Sequence, residues 1–484
     1  MQVFAVQRVL GLFLMVFSTS LIPPMLVSLY YQDQALAPFV KAFTLTIMVG
    51  FILWAPVNRY RKEFRMRDGF VIVAMFWTVL GLVGALPLYL NEHIHMSFTN
   101  AVFESLSGLT TTGATVITQL ADLPKSILYY RQQLQWLGGI GIIVIAVAIM
   151  PMLGIGGMQL YRAETPGPMK DSKLTPRITE TAKALWYIYL SLTVACALAY
   201  WAAGMTLFDA IGHSFSTIAI GGFSTHDESM GYFNDMPQVE VVAIVFMLLA
   251  GVNFALHFTA WRDRNPLHYF RDVEFKTYLG ILFTVGAISS AYLYYKDVII
   301  FPEDAILSGV FQAVSIGTTT GFTTAEYHNW PGFLPVLLLF TSFIGACAGS
   351  TGGGMKVIRF LLLLKQGMRE IKRVIHPRAI IPIKVGDTAL PDRVIEAVWG
   401  FFATYVAIFV VIMLILMLTG LDQISAFSAT AACINNLGPG LNEVGSNYAS
   451  LTDVAKWVLA FAMLLGRLEI FTLLVLLSPA FWRR

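Results

Sequence analysis

The chain is 484 residues long, 57% hydrophobic and only 13% charged, with a formal net charge of +3. That charged share is half the ~25% of a soluble domain and cannot coat a soluble globule of this size; it suits a chain whose solvent is lipid. Three cysteines, Cys196, Cys347 and Cys433, lie in apolar or small-residue stretches whose spacing fits neither a metal site nor a disulfide framework.

A bilayer crossing takes about 20 apolar residues. The first two such runs, near 4–31 and 36–57, form an N-terminal helix pair. The first is too long for a signal peptide and no small-residue cleavage pattern follows it, so the pair is expected to be retained. Long runs recur near 69–90, 132–153, 184–206, 239–261, 275–295, 333–364, 394–420 and 454–480, giving ten crossings. Among them stand four shorter apolar stretches, 98–110, 207–219, 304–318 and 422–435. At about a dozen residues they are typical of re-entrant segments, which enter the bilayer and return on the same side.

Alternate loops are basic. One side holds Arg59, Arg61, Lys62, Arg65 and Arg67, then Arg162, Lys170, Lys173, Arg177 and Lys183. The same side carries Arg262, Arg264, Arg271 and Lys276, followed by Lys365, Arg369, Lys372, Arg373, Arg378, Lys384 and Arg393. The opposite loops are poor in Lys and Arg and lean acidic at Asp227, Glu228 and Asp235. Positive residues mark the cytoplasmic side, so ten crossings leave both termini there. The basic loops are short and regularly spaced between apolar runs, which argues against nucleic acid as a partner.

After the N-terminal pair, a pattern of helix, short stretch, helix occurs four times. The short stretches end in sequences that can be laid over one another: Thr111-Thr112-Gly113, Ile220-Gly221-Gly222, Thr319-Thr320-Gly321 and Asn436-Leu437-Gly438. The aligned glycines are 109, 99 and 117 residues apart (222−113, 321−222, 438−321), and six residues before them stand Ser107, Ser216, Ser315 and Ala432. Close helix packing would explain one such glycine more readily than four in the same register. The expected fold is an all-α polytopic membrane protein, an N-terminal helix pair plus four helix–pore loop–helix repeats around one central pore.

Irregular backbone at membrane depth needs protein or water to satisfy its carbonyls, which four loops meeting around a shared axis provide. Each short helix would aim its negative C-terminal end at the axis. Glycine admits positive φ, so the strand after each helix can turn successive carbonyls toward an ion. K⁺ filters replace hydration water in this way. The hydroxyls of Thr111, Thr112, Thr319 and Thr320 add oxygens, and a site without carboxylates suits a monovalent ion better than Ca²⁺ or Mg²⁺.

These residues resemble the Trk/Ktr/HKT superfamily of K⁺ transporters over essentially the whole chain, and the extra N-terminal pair makes the chain most similar to the bacterial TrkH branch. The resemblance implies K⁺ uptake, not enzymatic activity, through a filter at Gly113, Gly222, Gly321, Gly438 and their neighbours. Serine at the first of these positions favours Na⁺ in plant relatives, so four glycines imply K⁺ preference. The fourth repeat departs from a channel filter at Leu437 and Pro439. The resemblance also implies a bacterial inner-membrane location, a homodimer, and a cytoplasmic nucleotide-binding regulatory subunit of the TrkA type docked on the basic face. This chain carries no phosphate-cradling motif of its own, and no covalent cofactor is expected.

Five glycines, Gly345, Gly349, Gly352, Gly353 and Gly354, precede Lys356 inside the run 333–364. Each costs about 1 kcal/mol relative to Ala in a helix, so the helix should break. In the family this segment is an intramembrane gate loop. Arg467, inside the last apolar run, must face a partner or a water-filled cavity; the family implies that it projects into the pore and raises a barrier. Glu469, two residues on, does not face Arg467 along a helix. Glu104 and His213 each stand nine residues before a glycine, where hydrogen bonding behind the filter is a simpler reading than a proton relay. The resulting units are 1–67, the helix pair; 68–155, 181–262, 274–364 and 392–484, the four pore repeats; and 365–391, a cytoplasmic loop. Channel-like conduction is expected, with K⁺/H⁺ or K⁺/Na⁺ symport the alternative and a membrane-embedded enzyme a distant third.

Overall fold

The computed structural model describes residues 2–60, 66–141, 178–386 and 388–483. The second half of the run 132–153, the end of the unit 68–155, and the basic residues Arg61, Lys62, Arg65, Arg162, Lys170, Lys173 and Arg177 lie outside these.

Helices α1 (Val3–Thr19), α2 (Ile22–Tyr31) and α3 (Leu36–Trp54) make the N-terminal pair. Gly11 and Gly50 let α1 and α3 touch backbone to backbone; a Cβ on Gly11 would stand 2.7 Å from the Gly50 carbonyl oxygen. Missing side chains bring membrane helices close, as van der Waals packing there requires. Asp33, in the turn between α2 and α3, accepts hydrogen bonds from Ser28 Oγ (2.5 Å), Ala35 N (3.1 Å) and Ser126 N (2.8 Å). Burial alone would raise the Asp33 pKa, but these bonds outweigh it and hold the carboxyl below its ordinary value.

Four short helices then alternate with long ones. They are α5 (Phe98–Leu109) after α4 (Met66–Gly84), α8 (Leu207–Ala219) after α7 (Ile178–Ala202), α12 (Pro302–Thr318) after α11 (Val273–Tyr295), and α16 (Gln423–Ile434) after α15 (Asp392–Leu418). Local sequence explains where they start. Ser97, Thr206 and Asp422 accept hydrogen bonds from the first free backbone N–H groups of α5, α8 and α16, while α12 begins with Pro302. The return segments are α6 (Lys125–Gly139), α9 (Pro237–Ala250) with α10 (Phe254–Arg262), α13 (Leu334–Ile344) with α14 (Val357–Ile375), and α17 (Asp453–Arg467) with α18 (Phe471–Leu477). A two-stranded antiparallel hairpin, β1 (Lys384–Val385) and β2 (Thr388–Ala389), lies in the loop after α14.

Among the described residues, six helical stretches are long and apolar enough to cross a bilayer as single spans. Side chains such as Phe51, Ile52, Phe283 and Val411 are exposed along them, as lipid-facing positions should be. The sequence reads ten crossings and expects a break inside 333–364 alone; the structure keeps that break and corrects two other runs. The run 239–261 bends by 91° between α9 and α10, and 454–480 bends by 116° between α17 and α18. The run 333–364 is two helices separated by residues 345–356.

Candidate functional site

Each short helix ends in the same way. The residue two before the aligned glycine takes a left-handed conformation, with φ of +55° at Thr111, +55° at Ile220, +69° at Thr319 and +53° at Asn436. The next N–H then turns back onto the helix: Thr112 to Ser107 O (2.8 Å), Gly221 to Ser216 O (2.8 Å), Thr320 to Ser315 O (2.8 Å) and Leu437 to Ala432 O (2.7 Å). This is the Schellman closure of a helix C-terminus. The residues found six before each glycine are its acceptors, through their backbone. The glycines follow at φ +81°, +76°, +83° and +99°, so positive and negative φ alternate along each strand.

The four strands close into a ring. A Cβ on Gly113 would overlap the carbonyl oxygen of Gly221, one on Gly222 that of Thr320, and one on Gly321 that of Leu437. On Gly438 it would stand 2.6 Å from Thr112 O, which completes the circle. Each glycine is therefore pressed against the strand of the next repeat, at a distance no side chain permits. All four open onto one outer cavity of about 410 Å³, whose wall also includes Asp227, Glu228, Glu326 and His328.

Side chains behind the ring brace it. Glu104, fully buried, pairs with Arg131 at 2.7 Å and accepts from Val116 N (2.9 Å). His213 lies at hydrogen-bond distance from Asp209 O and Ser224 Oγ (both 2.9 Å). Gln312, also nine residues before its glycine, donates to Ala325 O (3.3 Å). The fourth repeat has Ala429 there, and the neighbouring Ser428 accepts from Leu441 N (3.0 Å) instead. Sequence reading picks out Glu104 and His213 but misses Gln312, whose register was the available signal. Gln132 and Gln135 on α6 also escape it; they donate to Phe223 O and Gly221 O.

Below the ring lies the loop 345–356, with positive φ at Gly345, Gly349, Gly354 and Lys356. It touches the inner ends of three short helices. Thr351 Oγ1 donates to Ile218 O (2.9 Å), Gly353 N to Thr319 Oγ1 (2.7 Å), and Gly354 N to Asn435 O (3.1 Å). A Cβ on Gly353 would overlap Asn435 O, and one on Gly352 would come 2.9 Å from Thr318 O. Arg467 closes the fourth side, donating to Thr111 Oγ1 and to Thr351 O (3.2 Å each) and to Gly138 O. Lys356 is buried and donates to Gly352 O. Glu469, whose partner the sequence leaves open, pairs with Arg359 at 2.5 Å, 110 residues away. Glu274 accepts from both shoulders of the loop, Ala348 N (2.7 Å) and Ile358 N (3.1 Å).

The arrangement sets four glycine strands around one axis, with a plug of small residues and a cation beneath it. The hydroxyls expected to add oxygens are engaged elsewhere: Thr112 with Thr110 (2.8 Å), Thr320 with Thr318 (2.7 Å), Thr111 with Arg467 and Thr319 with Gly353 N. Among the described residues, no group of three His, Cys, Asp or Glu side chains could hold a metal ion.

Comparison with known proteins agrees over the full length. Residues 35–484 match the family model described as TrkH, cation transport protein. The chain is 58% identical over 485 residues to a Trk system potassium uptake protein TrkH of Vibrio parahaemolyticus, covering 100% of both chains. It is 55% identical over 479 residues to the protein of that name from Escherichia coli K12, covering 99% of both. The E. coli protein TrkG, also named a Trk system potassium uptake protein, is 42% identical over 478 residues, covering 99% of this chain and 98% of its own. The crystal structure of the potassium transporter TrkH from V. parahaemolyticus superposes with a TM-score of 0.91 at 55% identity, covering 100% of both chains.

Proposed function

Because this chain belongs to the TrkH family of cation transport proteins, we propose that it carries K⁺ into the cell through the ring of four glycine strands. The observation that carries this reading is the closure of the ring, each glycine set against the carbonyl of the next strand. Thr111, Thr112, Gly113, Ile220, Gly221, Gly222, Thr319, Thr320, Gly321, Asn436, Leu437 and Gly438 supply the filter. K⁺ sheds its hydration water there against oxygens alone, which suits a weakly held monovalent ion. In this reading 68–155, 181–262, 274–364 and 392–484 are the four pore repeats.

The loop with Gly345, Gly349, Gly352, Gly353, Gly354 and Lys356 is the gate in this reading, which its bonds to the helix ends support, and Arg467 sets a positive barrier beneath the filter. Opening requires the loop to leave Ile218, Thr319 and Asn435. The basic loops face the cytoplasm, and Arg369, Lys372 and Arg373 on α14 stand where a nucleotide-binding subunit of the TrkA type would act on the gate. A homodimer in the inner membrane, one pathway per subunit, completes the reading. Coupled symport is the second reading. It needs a free ionisable group on the path, whereas Glu104 is paired with Arg131 and His213 is held by Asp209 and Ser224; this favours conduction.

The test is ⁸⁶Rb⁺ uptake into liposomes that hold the purified protein and trapped K⁺, for wild type, Gly113→Ser and Arg467→Ala. Uptake that external K⁺ competes away, with weaker selectivity in the first variant and more flux in the second, is the expected result. Flux whose reversal potential follows H⁺ or Na⁺ as well as K⁺ would replace conduction by symport.

A further inference from the structure

Neighbouring return strands meet at four joints just outside the glycines. Between the second and third, Gly231 N donates to Thr323 O (3.0 Å) and Asn234 Nδ2 to Thr324 O (3.2 Å). Between the third and fourth, the Tyr327 hydroxyl donates to Gly440 O (3.0 Å). Between the fourth and first, Tyr448 N donates to Thr115 O (2.8 Å) while its hydroxyl donates to Gly438 O (2.7 Å). The joint between the first and second differs in kind, because charged side chains make it: farther from the glycines Leu120 N donates to Asp227 Oδ2 (2.8 Å), and nearer to them stands Arg131. Arg131, from α6, donates to Thr115 Oγ1 (3.1 Å) on one strand and to Ser224 O (3.3 Å) on the other. Thr115 and Ser224 each stand two residues beyond a glycine.

Glu104 fixes the guanidinium from behind through Arg131 Nε (2.8 Å) and also accepts from Thr115 Oγ1 (3.0 Å). The Arg131 guanidinium lies 4.3 Å from the centre of the Phe223 ring, which closes its other face. Both partners are essentially inaccessible, at 1% and 0% exposure, and no other ion pair among the described residues is so deeply buried. The planar guanidinium holds its acceptors in a fixed fork and lays a flat face on Phe223; a lysine ammonium has three donors, but they radiate from one atom on a flexible stem and cannot reproduce that geometry.

We propose that Arg131 and Glu104 are positioning residues for ion selection, setting the separation of the first and second return strands at the outer end of the ring. The inference rests on the filter reading and adds to it a division of labour. The Arg131 fork sets the spacing on which discrimination between K⁺ and the smaller Na⁺ depends. The Glu104 carboxylate neutralises a cation that would otherwise stand bare beside a cation path, where salt screens little.

The two roles separate in one experiment. In proteoliposomes, ⁸⁶Rb⁺ uptake is competed with K⁺ and with Na⁺ for wild type, Arg131→Lys and Glu104→Gln, and each protein's thermal midpoint is read in KCl and in NaCl. With Arg131→Lys, the preference for K⁺ over Na⁺ falls about tenfold, the loss expected of one charge-assisted hydrogen bond, while uptake without Na⁺ falls less. With Glu104→Gln, uptake itself falls about tenfold or more as the bare Arg131 charge repels ions. The extra thermal stability that K⁺ gives over Na⁺ shrinks in Arg131→Lys, a readout that needs no flux. Uptake lowered at an unchanged K⁺/Na⁺ ratio, with an unchanged difference between the two salts, would mean a structural brace only and overturn the proposal. A wild type that neither takes up Rb⁺, even as Arg467→Ala, nor gains stability from K⁺ overturns the filter reading, and the inference with it.

Discussion

The proposed pathway repeats itself in its outer half and does not in its inner half. Above, four strands of different sequence take one conformation, with positive φ at two positions in each and the same backbone closure to within 0.1 Å. Below, the return helices go separate ways. One bends by 91° at residues 251–253, one opens into the loop 345–356, and one ends at Arg467 and resumes after a 116° bend. An ion can be surrounded evenly only if every strand conforms. A gate needs a single element that moves against fixed neighbours, and the loop proposed for that role sits where regularity has been given up. On the proposed function, coordination accounts for the first half and asymmetric support for the second.

The sharpest way to break this comparison is to put a side chain into the ring. Gly222→Ala carries a Cβ at φ +76° that overlaps Thr320 O. Strain of about 1–3 kcal/mol, with the overlap added, is worth roughly a hundredfold, and ⁸⁶Rb⁺ uptake should fall by at least that. Gly438→Ala should be milder, because its Cβ stands 2.6 Å from Thr112 O and the other three overlap more deeply. Equal losses at both sites would mean that the fourth strand is held as tightly as the rest.

The inner half should respond in the opposite direction. Arg467→Ala removes a positive charge from beneath the ring along with its bonds to Thr111 and Thr351. One charge about 8 Å from an ion is worth about 2 kcal/mol at an effective dielectric of about 20, so uptake should rise roughly thirtyfold. Thr351→Val tests the loop's own attachment, the bond to Ile218 O. A lost hydrogen bond of about 1 kcal/mol should raise basal uptake several-fold without changing ion preference. A fall in uptake in either variant would place these residues in the conducting path rather than across it.

The same contrast decides what the sequence reveals. The short helices 98–110, 207–219, 304–318 and 422–435 are legible to within a few residues of α5, α8, α12 and α16, because caps and length mark them locally. The aligned glycines are legible because little else tolerates their backbone. The left-handed residues two places earlier are not: Thr111, Ile220, Thr319 and Asn436 are of three types, of which only Asn favours that conformation, and the backbone closure of each helix end imposes it. The loop 345–356 announces itself with five glycines. The break at 251–253 carries only Gly251 and Asn253, and the one after Arg467 carries no such mark. Asn253 caps α10 while Gly251 O accepts from Cys347 N, and the turn at Glu469 and Ile470 contains no helix breaker. Those bends answer to partners about a hundred residues away, as does the pairing of Glu469 with Arg359. Periodicity and composition carry no record of such contacts.

The smallest expected effect lies at the outer mouth, where the ring meets solvent. Glu228 and Glu326 are exposed on the wall of the outer cavity and lean toward attracting cations. Salt shortens their reach to about 8 Å at physiological ionic strength, so most of their field is lost before the ring. Replacing both with Gln should raise the half-saturating Rb⁺ concentration by less than about twofold at physiological salt, and by more only when ionic strength is lowered. The measurement is uptake against Rb⁺ concentration at two ionic strengths. A large effect that persists at high salt would move these carboxylates from the mouth to the binding site, and selection would then begin with charge rather than with the even oxygens of the ring. The absence of carboxylates from all four strands argues for the small effect. On the proposed reading, a ring that holds its ion by uncharged oxygens has little need of charge at its mouth.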